Sequence, residues 1–455
     1  MIPLMTAAEM RAADAAAVAR DSQAALVARA GYAVGATARE MLGTLYGRHV
    51  AVVAGPGLNG ADGRVAAAWL AERGALVSVV EAASAPPALR GYDLVIDAAF
   101  GLGCSRPYHA PDVDDRAMVL AVDLPSGVEA DTGALLGRPM VADVTLALGA
   151  VKPAHLVGPS VEFVGSLRFA GLGIVDDARD GIVEESDLAH FVRQHRDDHK
   201  WRHAVLVVAG SAAMPGAAQL ATFGALATGA SMVRVCVPGV KASRVTALAP
   251  EAVRLESSVE GLSEIVVSVS TRLHAMVIGP GLGRDVAIRK QVRSFVDRAR
   301  VPLVVDADGL HAVDVRCLAE RQFPDSPVIL TPHDGEYTAL VGREPGEDRL
   351  EAARSLARDS SCVVLLKGPT TVVADPEGRV RVVTAGTPAL ATAGTGDVLA
   401  GMIAGALARG HAPLAATALA AELHALAGGR LPRYGTAHQL GDAVRELLGE
   451  LSRAR

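Results

Sequence analysis

An α/β fold in two domains is predicted from three observations. Short β-branched runs alternate with alanine-rich stretches of helical length, the pattern of parallel strands joined by crossover helices. The 455 residues exceed the size at which a single hydrophobic core stops growing. The stretch Asp176–Asp187, continued by Arg193–Lys200, is the most charged part of the chain and holds few strand formers. The join is therefore placed near residue 180, giving domains 1–180 and 181–455.

Taken in order, the chain opens with a helical stretch from Ala7 to Leu45. Buried parallel strands are then expected at His49–Val53, Leu76–Val80, Leu94–Ile96, Val119–Val122 and Val144–Leu148, with a helix Arg64–Arg73 after the first. A second series follows at Ala204–Val208, Met232–Val237, Met276–Ile278, Leu303–Val305, Val328–Leu330 and Val363–Leu366. Gly-Pro-Gly-Leu occurs at Gly55 and again at Gly279, each time between a strand and a helix. The flanks do not match, so two domains share a turn and there is no internal repeat. Ala204 to Val233 carries no charge, but Ser211, Pro215, Gln219 and Thr222 interrupt it; strand, turn and helix are expected there, and no membrane span.

Composition narrows the function. A net charge of −6 and only 3% aromatic residues argue against a nucleic-acid partner, which would want a basic face or stacking platforms. The four cysteines (Cys104, Cys236, Cys317, Cys362) lie far apart, with no ligand spacing, so neither a disulfide framework nor a zinc site is expected. With no apolar leader visible, a cytoplasmic protein is expected.

In the first half, Gly55-Pro-Gly-Leu-Asn-Gly-Ala-Asp-Gly63 joins strand to helix, and two further strand ends carry acids, at Asp97 and at Asp123-Leu-Pro-Ser126. Ligands of open parallel sheets bind beyond the carboxyl ends of the strands, so Asn59, Asp97, Asp123 and Ser126 are candidates to converge on one crevice. Oxygen donors of low total charge suit a hard monovalent cation better than zinc. The competing reading has Asp97 and Asp123 only capping turns.

In the second half, Ala391-Thr-Ala-Gly-Thr-Gly-Asp397 feeds directly into an apolar helix. The unpaired amides of Ala393 to Gly396, aligned with the helix dipole, form an anion pocket, and Asp397 at its rim suits a base acting on a hydroxyl. The alternative is a glycine-rich turn with Asp397 as a cap. Four more polar loops end strands of the same series: Gly279–Gly283, Asp306-Ala-Asp308, Thr331-Pro-His333 and Lys367-Gly368-Pro369-Thr370-Thr371. Two carboxylates at 306 and 308 suit a hydrated magnesium ion or a positioned water, and the Lys367 loop offers an ammonium and hydroxyls to phosphate. No G-x-x-x-x-G-K-[ST] motif occurs, which excludes a P-loop.

These motifs carry a resemblance. Residues 1 to about 175 resemble the NAD(P)H-hydrate epimerase domain, a Rossmann-like parallel-sheet sandwich. Residues 190 to 455, with Asp306-Ala-Asp-Gly, Thr331-Pro-His, Leu366-Lys-Gly and Gly394-Thr-Gly-Asp-Val-Leu-Ala-Gly401, resemble the ribokinase-like superfamily, and within it the ADP-dependent NAD(P)H-hydrate dehydratases. The order of the two halves is similar to that of bifunctional NAD(P)H-hydrate repair enzymes. The resemblance implies that Leu58, Asn59, Gly60, Ala61 and Asp62, with Gly101, Leu102, Gly103, Cys104, Ser105, Arg106 and Pro107 and with Asp123, hold the epimerase substrate. It implies potassium on Asn59, Asp97 and Ser126. Leu58 stands where the family has Asn and Ala61 where it has Gly, so a positive φ is expected at 61. In the second half, Ala217, Gly281, Gly283, His333 and Asp397 are implied for the hydrated cofactor. Lys367, Gly368, Pro369, Thr370, Thr371, Gly394, Thr395 and Gly396 are implied for ADP or ATP, with Mg2+.

The catalytic residues expected are Asp397 for dehydration and Asp123 for epimerisation. The expected partners are small molecules, NADH and NADPH hydrates and ADP, with neither nucleic acid nor membrane, in a homo-oligomer of tetrameric size or larger. Two other readings compete. A ribokinase-like sugar or vitamin kinase would release a stable phosphorylated product, and a nucleotide-binding scaffold would not turn over.

Overall fold

A computed structural model describes the chain except for residues 176–177, 192–198, 242–249, 270–271 and 454–455. Parts of the charged join, 176–177 and 193–198, therefore lie outside the described residues. The chain divides into two compact units, Ile2–Gly181 and Ile182–Arg455, the second including Met1.

The first unit is built on six parallel strands in the order Ser166–Ala170, Val144–Leu148, Met118–Val122, Leu94–Ala98, His49–Ala54, Leu76–Glu81. From His49–Ala54 the chain moves to one side for Leu76–Glu81, then crosses to the other for Leu94–Ala98. That reversal opens a crevice beyond the carboxyl ends of the two central strands. Helices Gln23–Leu42 and Leu58–Ala71 cover one face and bury Val34, Ala38, Ala66 and Leu70 against Val50, Val52, Ile96 and Leu120.

Two helices differ from their sequence readings. The opening stretch is two helices, Ala7–Asp21 and Gln23–Leu42, broken at Ser22. Ser22 takes φ = +95° and caps the second helix by accepting the Ala25 amide. The helix expected from Arg64 begins at Leu58, so Asn59, Gly60, Ala61 and Asp62 are helical. The glycines of this segment serve close packing, with no positive φ. A Cβ on Gly60 would stand 1.9 Å from the Gly55 carbonyl oxygen, and one on Gly63 2.5 Å from the Ala98 methyl. Ala61 accordingly keeps a negative φ, and the left-handed backbone expected there is absent.

In the second unit nine strands run in the order Val380–Val383, Thr371–Ala374, Val363–Leu366, Val328–Leu330, Leu303–Val305, Ala275–Ile278, Ala204–Val208, Met232–Cys236, Val253–Leu255. Neighbours pair in parallel from Val363–Leu366 onward, whereas Thr371–Ala374 is antiparallel to both Val363–Leu366 and Val380–Val383. That hairpin, Ser166–Ala170 and Val253–Leu255 were not expected from the sequence. The charge-free stretch after Ala204 forms a strand and then the helix Pro215–Ala227. No described helix is long and apolar enough to cross a membrane.

Helix Thr395–Ala408 is buried on nearly every side. Its small residues let it lie against Pro215–Ala227 with backbone nearly touching backbone, since a Cβ on Gly401 would stand 1.9 Å from the Ala221 carbonyl oxygen. This packing fixes the start of the helix relative to the strand ends.

Candidate active sites

The first unit holds a cavity of about 510 Å³ at its crevice, lined among others by Asp14, Leu58, Asn59, Asp62, Gly101, Leu102, Gly103, Asp123 and Lys152. Of the residues expected there, Gly60, Ala61 and Cys104 to Pro107 do not line it. Asp97 and Ser126 are buried, and no face of either borders the cavity. Leu58 is half exposed at its mouth.

Asp123 ends strand Met118–Val122 with φ = +66°, a left-handed backbone that is strained for a residue with a Cβ. The strain is held by three contacts. The Asp123 amide donates to the Leu146 carbonyl (2.9 Å), its carbonyl meets His155 Nε2 (2.6 Å), and its Oδ1 accepts the Leu148 amide (3.2 Å). The same Oδ1 takes a short bond from the Lys152 ammonium, which also donates to the Leu148 carbonyl at 2.8 Å. Burial pushes Asp62 up to about 8, helped by the nearby charges of Asp123 and Asp14. Burial raises Asp14 as well. The cavity thus gathers three carboxylates around one buried ammonium. Lys152 and Asp14 were missed by sequence reasoning. The usable signal for Lys152 was a Lys-Pro following a strand end, whereas Asp14 sits in an alanine-rich helix with nothing to mark it.

Asp97 is fully buried and bonds only to Ser126, through the hydroxyl (2.6 Å) and the amide (2.8 Å), and to the Ala99 amide (3.4 Å). Burial raises its pKa, and no ion pair offsets its charge among the described residues. In the helix start at the cavity, Asn59 Nδ2 is buried with no partner among the described residues. A buried carboxylate without a counter-ion, next to the Ser126 hydroxyl, fits a monovalent cation.

The second unit holds a cavity of about 690 Å³ beyond the Val328–Leu330 and Val363–Leu366 strands. Lys367, Gly368, Pro369, Thr371, Thr395, Gly396 and His333 line it, with His424 from helix Pro413–Gly429. Thr370 and Gly394 do not. Ala217 and Gly281 meet each other instead, a Cβ on Gly281 standing 2.7 Å from the Ala217 methyl, and Gly283 donates its amide to Asp308 at 2.9 Å. Neither glycine, nor Ala217, nor Asp397 is among the residues that line this cavity.

At the helix start, Gly394 is the left-handed N-cap. The amides of Ala393, Gly394, Gly396 and Asp397 make no intramolecular bond among the described residues. Thr395 departs from the expected set, since its amide reaches the Thr392 carbonyl at 3.3 Å and its hydroxyl bonds Leu390 and Thr392. His424 Nε2 bonds the Thr395 carbonyl (2.9 Å), and burial holds its pKa down at about 4. The neutral ring therefore donates through that nitrogen.

The Lys367 ammonium lies 3.6 Å from where a Cβ of Gly396 would stand, so cation and amides face one spot. It bonds Asp306 at 2.9 Å and approaches Glu336 at 3.6 Å. Burial works against its charge, but Asp306 and Glu336 together raise its pKa. Asp306 also accepts the Thr331 hydroxyl (2.7 Å). Asp308, the second of the pair expected at magnesium, accepts the Gly283 amide and the Arg284 guanidinium. Asp397 is pushed up to about 7 by burial and by Asp306, against the opposing pull of Lys367. A carboxyl with that value is half ionised near neutrality, as a general base requires. His333 caps helix Asp334–Val341 by accepting the Gly335 and Glu336 amides through Nδ1, while its ring stays mostly exposed. The four residues Lys367, Asp306, Glu336 and Asp397 carry a net charge of −2 when ionised. Among the described residues no three His, Cys, Asp or Glu side chains form a direct metal cage. Such a site fits a divalent ion that keeps most of its waters.

A family model described as NAD(P)H-hydrate dehydratase matches residues 205–447, and one described as YjeF-related protein N-terminus matches 23–90 and 80–154. The chain is 34% identical over 457 residues to the bifunctional NAD(P)H-hydrate repair enzyme Nnr of Moorella thermoacetica, covering 87% of this chain and 85% of that one. It is 35% identical over 445 residues to the protein of the same name from Mycobacterium tuberculosis, covering 88% of each. The ADP/ATP-dependent NAD(P)H-hydrate dehydratase of Bacillus subtilis, co-crystallised with ATP and Mg2+, matches 60% of this chain and 99% of its own at 28% identity, with a TM-score of 0.50. A ribokinase-like superfamily protein of Enterococcus faecalis, 22% identical with a TM-score of 0.54, shares the fold. With both halves matched in order and over most of the chain, this chain belongs to the family of bifunctional NAD(P)H-hydrate repair enzymes.

Proposed function

We propose that the second unit dehydrates NAD(P)H hydrate at the expense of ADP and that the first interconverts the two C6 epimers of that hydrate. One observation carries the dehydratase reading. Free amides at a helix start, the Lys367 ammonium and the half-ionised Asp397 lie together at the ends of the parallel strands.

A hydrated nicotinamide bears a hydroxyl at C6, next to the ring nitrogen, and hydroxide is a poor leaving group. Asp397 takes the hydroxyl proton as the oxygen attacks the terminal phosphorus of ADP, and AMP departs. The amide of Gly396 and the ammonium of Lys367 hold the transferring phosphoryl group. The ring nitrogen's lone pair then expels phosphate, and loss of a C5 proton restores NAD(P)H. Asp306 and Glu336 would hold Mg2+ through water, and the ion would neutralise phosphate charge. The reaction reuses a kinase scaffold, with positioning and electrostatics as its main catalytic contributions.

In the first unit Asp123 is the acid–base residue, and Asn59, Asp97 and Ser126 would hold K+, whose charge would offset the buried carboxylate. Leu58, Asp62 and the Gly101–Gly103 backbone border the substrate. The kinase reading leaves the whole first unit without a purpose, and the full-length relatives favour repair.

The test is to supply hydrated NADH with ADP and follow recovery of reduced-nicotinamide absorbance. Full recovery from a mixture of epimers supports both activities. Recovery confined to one epimer removes the epimerase, and accumulation of a stable phosphorylated product would establish the kinase instead.

A further inference from the structure

We propose that Lys152 is the positioning residue of the epimerase half, holding Asp123 so that a single carboxylate oxygen is presented to the substrate. The inference rests on the reading of Asp123 as the acid–base residue of that cavity.

The geometry divides the two oxygens of Asp123. Oδ1 is consumed by the Lys152 ammonium and the Leu148 amide. Oδ2 lies on the open side, 3.0 Å from where a Cβ of Gly101 would stand, with Asn59 Oδ1 at 3.2 Å from the same point. Gly101, Asn59 and Asp123 all line the cavity, so the oxygen left free is the one that faces the substrate.

The ammonium is itself fixed. Lys152 is only 1% exposed, and its second bond, to the Leu148 carbonyl, ties it to the end of strand Val144–Leu148. His155 locks the turn that carries it. Burial, with the Lys152 charge adding to it, holds His155 down at about 4, so the ring is neutral. Its Nδ1 accepts the Lys152 amide (2.9 Å), which leaves Nε2–H to donate to the Asp123 carbonyl (2.6 Å). Lys152 and Asp123 are thus joined twice, backbone through imidazole and side chain to side chain. A carboxylate held in this way cannot turn its occupied oxygen toward the cavity, and an acid–base group works best when its reach to the proton is fixed.

For a C6 hydroxyl beside a ring nitrogen, Oδ2 takes the hydroxyl proton as the C6–N1 bond breaks. The C6 carbon becomes an aldehyde, and the electron pair passes to nitrogen and its conjugated carboxamide. Rotation about C5–C6 and reclosure on the other face reform the bond, and Asp123 returns the proton to oxygen. No oxidant or other reactant is consumed.

The test uses the full chain without ADP, so that only interconversion of purified hydrated NADH epimers is read, by chromatography. Lys152→Met keeps the length of the side chain and removes the charge, and Lys152→Arg keeps the charge. Lys152→Met is expected to lower kcat by about 10²-fold while KM stays within about threefold, because Lys152, though it borders the cavity, is only 1% exposed and offers the substrate little surface. Lys152→Arg is expected to retain more activity than Lys152→Met. A merely space-filling lysine predicts the reverse order, since Met fits the slot and Arg overfills it, and that order would overturn the proposal. So would a Lys152→Met enzyme with normal kcat alongside an inactive Asp123→Asn. Active Asp123→Asn would instead remove Asp123 from the chemistry.

Discussion

Replacing Asp397 by Asn separates a catalytic carboxylate from a structural cap, because the two roles move activity and stability in opposite directions. Asn keeps the shape and the N-terminal position but cannot take a proton, so ADP-dependent dehydration should fall by about 10²–10⁴-fold, with ADP affinity retained. Stability should rise. The folded carboxyl titrates at about 7, against an ordinary value of 3.8. The native state therefore holds its proton through that window while the unfolded state releases it, so stability is lost progressively as pH climbs from near 4 to 7, with the full cost present above. Three pK units set an upper bound of about 4 kcal/mol. Solvent at this partly exposed carboxylate screens much of that, leaving roughly 1–2 kcal/mol and a melting transition higher by a few degrees at pH 8. In the unsubstituted protein the same titration makes turnover rise with pH, from about one tenth of its plateau at pH 6 to half at pH 7. The assays are reduced-nicotinamide absorbance with ADP across pH 5.5–8.5 and calorimetry at pH 8. A variant that turns over normally, or a profile flat across neutrality, would refute the assignment of Asp397 as the base. A drop in melting temperature would refute the electrostatic account.

Three further outcomes follow from other contacts. Lys367→Met leaves Asp306 and Glu336 facing each other unpaired; chemical denaturation of the second unit should show a loss of about 2–3 kcal/mol, and calorimetric titration should show weakened ADP binding. Gly60→Ala forces a methyl to within 1.9 Å of the Gly55 oxygen, so the first unit should lose about 1–3 kcal/mol in the same measurement while ADP-dependent dehydration of the S epimer is kept. Asp97→Asn removes the buried charge that K+ would balance; epimerisation in the parent should depend on K+ over Li+, and that dependence should vanish in the variant while the dehydratase is unaltered.

The alternation of β-branched runs with alanine-rich helices was enough to read two α/β units and most of their parallel strands, because fully buried strands must be continuous hydrophobic runs. It was also enough to place polar loops at strand ends, where Asp123, Asp306 and Lys367 stand, and Asp397 at a helix start. The antiparallel hairpin Thr371–Ala374 and Val380–Val383 escaped because the pattern read was strand alternating with helix, and only a short turn joins these two strands. The start of helix Leu58–Ala71 escaped because glycine signals a turn in sequence, whereas Gly60 and Gly63 serve contact with the sheet.

What tertiary structure alone decided is which side chains share a partner. Lys152 lies 29 residues from Asp123 and Lys367 61 residues from Asp306, and no local pattern announces either pair. The same holds for Asp308, expected at magnesium yet held by Gly283 and Arg284. Local sequence sets where the backbone bends and which faces turn inward. Charge compensation is settled only when distant strand ends are brought to one edge, where each buried ion must find a partner or shift its proton.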